Sequence, residues 1–179
     1  MAKLAGARPV ILDTTDETEF KVTPEQLREA ITPSTKLFIL NSPSNPTGSV
    51  YSADEIKALG DVCVEKGVLI MSDDIYEKLL YDGAEFTSVT GFSGEHKAHT
   101  IIVHGLAKAY SMTGWRIGYA VWPEALVEAA TRLCINEHSS VNAATQLAAI
   151  EALTGPQESI AAMVADFDER REIMRSEVN

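Results

Sequence analysis

Short apolar runs alternate with longer segments of helical spacing along this chain. Five runs, rich in aliphatic and β-branched side chains, have the length of strands: residues 9–12, 36–40, 68–72, 100–104 and 118–122. Several are continuously apolar, which is typical of strands buried on both faces of a parallel sheet. Because helical patterns separate most of these runs, the sequence predicts an α/β fold with a mostly parallel sheet flanked by helices.

Capping residues indicate where the first helices begin. Thr23 and Pro24, followed by Gln26, predict one helix start, and the polar run from Ser52 predicts a second. Gly67 predicts the end of that second helix. Only a short segment separates the last two predicted strands, which leaves no room for a crossover helix. The last strand is therefore predicted to run antiparallel to the one before it.

The remaining chain is predicted to be helical from Pro123 almost to its end. Gly155 and Pro156 interrupt the pattern, and the last helix is predicted to start at about Gln157. Residues 82–98, with several Gly, Ser and Thr, form the best candidate for a loop.

Composition excludes several classes of protein. The chain has 179 residues, of which 45% are hydrophobic and 23% charged, so it can bury one sizeable core. Its net charge of -11 argues against a nucleic-acid partner. No apolar stretch has the length of a membrane span, and no cluster of residues has metal-ligand spacing. Cys63 and Cys134 lie in helical patterns, so we expect reduced, buried thiols of a cytoplasmic protein.

Lys108 is the first candidate for chemistry. It follows a predicted buried strand, has small or apolar neighbours, and stands eight positions before Arg116. An apolar wall lowers the pKa of a lysine and makes its amine a nucleophile, while a guanidinium fork suits phosphate. The pair suggests a pyridoxal-phosphate site. From spacing alone, a surface lysine and a salt-bridged arginine remain the alternative.

Three sequence blocks together point to a family. They are NSPSNPTG at residues 41–48, SDDIY at 72–76 and GLAKAYSMTGWRIGY at 105–119. In this order they resemble class I aminotransferases, the aspartate aminotransferase superfamily of fold-type I pyridoxal-phosphate enzymes. Since complete members are considerably longer, the resemblance implies an incomplete large domain. Residues 1–155 would be its central part, and residues 156–179 would start a long helix leading toward a small domain.

The resemblance implies a role for each candidate residue. Lys108 would bind pyridoxal 5′-phosphate as a Schiff base and then serve as the general base and acid. Asp73 would pair with the ring nitrogen, and Tyr76 would bind the phenolate oxygen. Asn45 would reach that oxygen and the substrate carboxylate, and Arg116 would hold the phosphate.

Some assignments stay open. Asp74 rivals Asp73 as the partner of the ring nitrogen, although the family pattern favours the first acid. The resemblance also implies a cis peptide at Asn45–Pro46. The four histidines, and the charged run at residues 166–172, are interpreted as structural, the run being a solvated helix face with i,i+4 pairs.

The implied reaction is transfer of an amino group between an L-amino acid and a 2-oxo acid, in a cytoplasmic homodimer with no membrane partner. Two alternatives remain. Other chemistry of the same fold, such as that of a C–S lyase or an aminocyclopropane synthase, uses the same cofactor contacts. The second alternative is a non-catalytic fragment, which we expect to bind the cofactor weakly or not at all and to be inactive.

Overall fold

A four-stranded sheet lies at the centre of the computed structural model, which describes residues 2–178. Its strands are adjacent in chain order: β1 (Leu37–Asn41), β2 (Leu69–Asp73), β3 (Thr100–Gly105) and β4 (Gly118–Val121). β1, β2 and β3 run parallel, whereas β4 is antiparallel to β3. The predicted fold class and the predicted direction of the last strand are therefore confirmed.

The described range contains six α-helices: α1 (Pro24–Ala30), α2 (Ala53–Lys66), α3 (Gly94–His99), α4 (Glu124–His138), α5 (Ala143–Thr154) and α6 (Glu158–Val178). The side chains of Thr23 and Ser52 each accept a backbone hydrogen bond at the start of α1 and α2, as predicted. Gly67 ends α2 with a φ of 64°. None of these helices combines the length and the apolar character needed to cross a bilayer.

The hydrophobic core lies between the sheet and α2. Leu40 of β1 and Ile70 of β2 meet Ile56, Leu59 and Val62 of the helix, and each of these side chains is at most 4% exposed. Alternate residues of a strand face opposite sides of the sheet, so this packing fixes which side chains point toward the helix. Polar residues are left at the carboxyl ends of the strands.

Residues 9–12 do not form the predicted strand. Within residues 2–178 no strand pairs with them, and Val10 and Ile11 are 60% and 76% exposed. Only Leu12 packs against the core. A strand needs a neighbour to satisfy its backbone hydrogen bonds, and β-branched composition does not provide one.

The predicted loop at residues 82–98 is partly helical. Its end forms α3, and the Ser93 side chain caps that helix by accepting the N–H of His96 at 3.3 Å. Val89 and His96 are buried and lie against Gly60 of α2. Tertiary packing against α2 therefore orders a segment whose composition indicates a loop.

The two cysteines differ in burial. Cys63 on α2 is buried as predicted, and burial raises the pKa of its thiol to about 12. Cys134 on α4 is exposed, so the prediction is wrong for that residue. The reason is that α4 buries only Ala130 against the rest of the described chain. Both thiols are free.

Candidate functional site

The carboxyl ends of the parallel strands bring the candidate residues to one edge of the sheet. Asn41, the last residue of β1, pairs in register with Asp73, the last residue of β2. Asn45 follows β1, Tyr76 follows β2, and Lys108 follows β3. Open α/β sheets bind their ligands at this edge, so we take it as the candidate site.

A hydrogen bond joins the loop after β1 to the turn after β2. Asn45 donates from Nδ2 to the Tyr76 hydroxyl at 3.2 Å. The Asn41 side chain stabilises the position of Asn45 through two hydrogen bonds. Its Oδ1 accepts the Asn45 N–H at 2.9 Å, and its Nδ2 donates to the Asp73 carbonyl oxygen at 3.0 Å. No expectation singled out Asn41, and its only sequence signal is its position at the start of the NSPSNPTG block.

The loop after β1 turns back on itself around Asn45. The Asn45–Pro46 peptide bond is cis, which confirms the expectation from the resemblance, and Ser42–Pro43 is also cis. Gly48 adopts a φ of 75°, and its N–H donates to the Ser44 carbonyl oxygen at 2.9 Å. Glycine tolerates this left-handed conformation, which closes the loop and leaves Asn45 exposed.

Lys108 lies beside Tyr76. Its Nζ is 5.8 Å from the centre of the tyrosine ring, within range of a cation–π attraction. The side chain is exposed, so the predicted apolar wall around the amine is wrong for the described part of the chain. Leu106 and Ala109 are buried instead, at 1% and 2% exposure, because the loop turns its apolar side chains inward and the lysine outward.

The two neighbouring aspartates differ sharply in environment. Asp73 is half-buried, and its carboxylate accepts the Ile75 N–H at 3.4 Å. Asp74 is only 3% exposed and accepts a hydrogen bond from the Ser72 hydroxyl at 2.6 Å. Desolvation raises the pKa of Asp74 to about 6. Of the two acids, Asp73 is the one with surface available to a ligand.

Arg116 lies toward the far end of the loop that contains Lys108. It has a φ of 53°, is exposed, and donates from Nη1 to a carbonyl oxygen of its own turn at 2.8 Å. Gly105 and Gly118 pair across β3 and β4 at the two ends of this loop. A Cβ at Gly118 would lie 2.9 Å from the His104 carbonyl oxygen, so the close approach requires glycine. In the described range Arg116 forms no hydrogen bond with the other candidates.

A cleft of about 880 Å³ opens beside Asn45 and Tyr76. Helix α6 contributes Arg171 to its lining, and the guanidinium lies 4.9 Å from the centre of the Tyr81 ring. Arg171 also forms two hydrogen bonds with Asp82, so the expectation of a purely solvated helix face is wrong here. The segment after Tyr76 packs against α6, which the charge pattern of the helix did not indicate.

No set of three His, Cys, Asp or Glu side chains in residues 2–178 could hold a metal ion.

The fold described above is that of a known class of proteins. The family model described as "Aminotransferase class I and II" matches residues 1–179. The chain therefore belongs to the class I and II aminotransferase family.

The similar proteins include aspartate aminotransferases of several bacteria. The one from Geobacillus stearothermophilus is 51% identical over 172 residues, which are 96% of this chain and 44% of the relative. The one from Bacillus subtilis (strain 168) is 46% identical over 168 residues, 94% of this chain and 43% of the relative. The chain thus spans less than half the length of these relatives.

Solved structures show the same correspondence. An aspartate aminotransferase from Rhizobium meliloti superposes with a TM-score of 0.90 at 38% identity, over 93% of this chain and 42% of that one. An aspartate aminotransferase from Thermus thermophilus with maleate gives a TM-score of 0.88 at 39% identity, over 97% of this chain and 45% of that one. The arrangement of the sheet and helices is therefore the one found in these proteins.

Proposed function

We propose that the complete protein is an aminotransferase that uses pyridoxal 5′-phosphate to move an amino group between an L-amino acid and a 2-oxo acid. The observation that carries this proposal is the Asn45–Tyr76 hydrogen bond beside Lys108, which presents an amine next to a phenol and an amide. The 51% identity to an aspartate aminotransferase supports the same reaction.

The donor set at the sheet edge fits the polar groups of this cofactor. Lys108 offers an amine for the aldehyde carbon. The Tyr76 hydroxyl and the Asn45 amide already lie within hydrogen-bond distance of each other, so one oxygen acceptor can meet both. Asp73 offers a half-exposed carboxylate for the ring nitrogen, and Arg116 an exposed guanidinium for the phosphate.

Lys108 has the central task. Pyridoxal phosphate, when bound, acts as an electron sink for the α-carbon of the substrate. Lys108 Nζ would hold the cofactor at its aldehyde carbon. Once the substrate's amino group has replaced it there, the free amine would accept the proton from the substrate's α-carbon. Its exposed position beside the Tyr76 ring leaves that nitrogen accessible to a substrate.

The other residues bind and orient. Asp73 would keep a proton on the ring nitrogen through a charge-assisted hydrogen bond. Tyr76 and Asn45 would donate to the phenolate oxygen, and Asn45 would also reach the α-carboxylate of the substrate. Arg116 would hold the phosphate with its planar fork.

The domain organisation is part of the same proposal. Residues 1–155 form the central part of the cofactor-binding domain, and residues 156–179 begin the helix toward a small domain. The 44% share of the relative that the chain covers supports an incomplete domain, and the 21 residues of α6 support the long helix. The 179 residues alone would retain the cofactor weakly and be inactive, because they correspond to less than half of the relative.

The cellular location and the oligomeric state belong to the same proposal. The free thiols of Cys63 and Cys134 support a reducing, cytoplasmic location. Large apolar side chains that are exposed on α4 and α5 support a homodimer, since packing between subunits would cover such a surface: Leu133, Ile135, Leu147 and Ile150.

The test uses the complete protein supplied with pyridoxal phosphate. We expect the visible absorbance of a bound cofactor, and amino transfer that depends on an added 2-oxo acid, with little release of ammonia or pyruvate. Lys108→Ala removes both the absorbance and the transfer, whereas Lys57→Ala, on the exposed face of α2, keeps both. Ammonia release without transfer would assign the protein to elimination chemistry instead.

A further inference from the structure

A buried histidine and a carboxylate connect the two chain segments that bear Lys108 and Tyr76. His104, on β3, is 6% exposed, and its Nε2 lies 3.3 Å from the Glu77 Oε1. Glu77 directly follows Tyr76, and its N–H donates to the Asp74 carbonyl oxygen at 2.9 Å in the turn after β2. The contact therefore bridges β3 and that turn.

The other imidazole nitrogen of His104 faces the peptide group of Gly105. The Gly105 N–H donates to Nδ1 at 2.8 Å, which places the proton of a neutral imidazole on Nε2, toward Glu77. In the charged form, Nδ1 can instead donate to the Gly105 carbonyl oxygen at 3.2 Å. Since Gly105 begins the loop that contains Lys108, either form of the imidazole contacts the start of that loop.

Further groups surround the pair. The Tyr119 ring, opposite His104 on β4, stacks on the imidazole with centroids 5.2 Å apart and an interplanar angle of 11°. Glu77, and Asp74 to a smaller extent, raise the pKa of His104. The pKa of Glu77 is lowered by His104, and the Lys78 ammonium lies 3.7 Å from Glu77. These charges favour an ion pair between His104 and Glu77.

We propose that His104 and Glu77 are positioning residues that hold the Lys108 loop in place relative to Tyr76 and so set the affinity of the site for pyridoxal phosphate. This role rests on the proposed function, because it assigns a purpose to the pair only if Lys108 and Tyr76 bind that cofactor. Neither His104 nor Glu77 needs to touch the cofactor. Their effect passes through Gly105 on one side and through the turn after β2 on the other.

The chain contains a matched control. His96 is a second buried histidine, 5% exposed, and its Nε2 lies 3.3 Å from the Asp61 Oδ1. That pair joins α3 to α2, away from the sheet edge that contains the candidate residues. A general loss of stability should follow from breaking either pair, whereas a loss of cofactor affinity should follow only from breaking the His104 pair.

The experiment compares Glu77→Gln with Asp61→Asn in the complete protein. NMR of labelled histidine in the cofactor-free protein gives the pKa of His104, and absorbance titration gives the dissociation constant for pyridoxal phosphate. We expect Glu77→Gln to lower the pKa of His104 and to weaken cofactor binding by about fivefold or more, because it removes the carboxylate charge that faces the buried imidazole. Asp61→Asn should leave the cofactor affinity within about twofold of wild type.

A second comparison separates positioning from folding. His104→Asn keeps a side-chain oxygen that can accept the Gly105 N–H, so it should bind the cofactor more tightly than His104→Ala. Equal affinity of Glu77→Gln and wild type would overturn the positioning role, and so would equal losses in Glu77→Gln and Asp61→Asn. In both cases the proposed function would stand. A wild-type protein without cofactor absorbance, or Lys108→Ala with it, would overturn the proposed function and this role together.

Discussion

Arg171 holds Asp82 through two hydrogen bonds of 2.7 and 2.8 Å between residues 89 positions apart in the sequence. The fork geometry matches both carboxylate oxygens, and the same guanidinium lies over the Tyr81 ring. Helix α6 is thereby fixed to the segment that follows Tyr76. Arg171, Asp82 and Tyr81 therefore form part of the wall of the cleft beside the candidate residues.

Arg171→Lys should weaken the attachment of α6 to the segment that contains Asp82. An ammonium cannot form the paired contact or lie flat on the Tyr81 ring, so we expect a lower unfolding temperature and faster proteolysis near residue 82. The difference from wild type should shrink at high salt, since Asp82 is exposed and Arg171 only half-buried. Arg170→Lys on the same helix serves as the control. Equal effects of the two substitutions would contradict a specific role for the Asp82 contact.

Tyr76→Phe tests the hydrogen bond with Asn45. The substitution removes the hydroxyl and keeps the ring beside Lys108, so the cofactor should still bind, with affinity reduced by about tenfold. Absorbance titration of the complete protein measures the change. Tyr81→Phe is the matched control, because Tyr81 lines the same cleft and its hydroxyl has no hydrogen bond within residues 2–178. A larger loss in Tyr81→Phe would place the cofactor elsewhere in the cleft.

Asp74→Asn should change how stability depends on pH. The pKa of Asp74 is raised from 3.8 to about 6, so its charge destabilises the fold increasingly as the pH rises from 3.8 to 6. The amide variant lacks this penalty, and we expect its free energy of unfolding to gain roughly 3 kcal/mol on wild type across that interval. Urea unfolding at both ends of the interval measures the gain. The exposed variant Asp166→Asn should show none.

The Glu77–His104 pair should stabilise the protein within a defined pH window. The pKa of Glu77 is lowered from 4.5, so its contribution is complete above pH 4.5 and is lost as the pH falls through the lowered value. The pKa of His104 is raised from 6.5, so its contribution is complete below pH 6.5 and is lost as the pH rises through the raised value. The stability difference between wild type and Glu77→Gln should therefore be largest between pH 4.5 and pH 6.5. Glu85→Gln, in an exposed loop, should give a flat difference.

Local signals predicted most of the fold. Thr23, Ser52 and Gly67 mark helix ends through their own capping chemistry, and the four strands follow from short apolar runs. Residues 9–12 have the same kind of composition and remain unpaired. Whether a run becomes a strand depends on a neighbour supplied by distant sequence, which no local pattern contains.

The sequence likewise predicted one part of the candidate site and not the other. The positions of Asn45, Tyr76 and Lys108 after parallel strands already predicted that they share one edge of the sheet. The exposure of the Lys108 side chain could not be predicted, because it depends on which way the loop turns its small residues. The contacts of His104 and Arg171 likewise join segments far apart in the chain, where charge patterns give no partner.

The pairing of Gly105 with Gly118 has a consequence for engineering. The two glycines bring the ends of the segment between them together, so residues 106–117 form a lobe that includes both Lys108 and Arg116. The lobe packs on the rest of the described chain, because Leu106 is 1% exposed and the hydroxyls of Tyr110 and Ser111 donate to Gln157 and Met163. The register of β3 and β4 is set by strand residues outside that lobe. An exchange of this lobe that keeps the sheet unchanged must therefore preserve the two glycines and also the contacts with Gln157 and Met163.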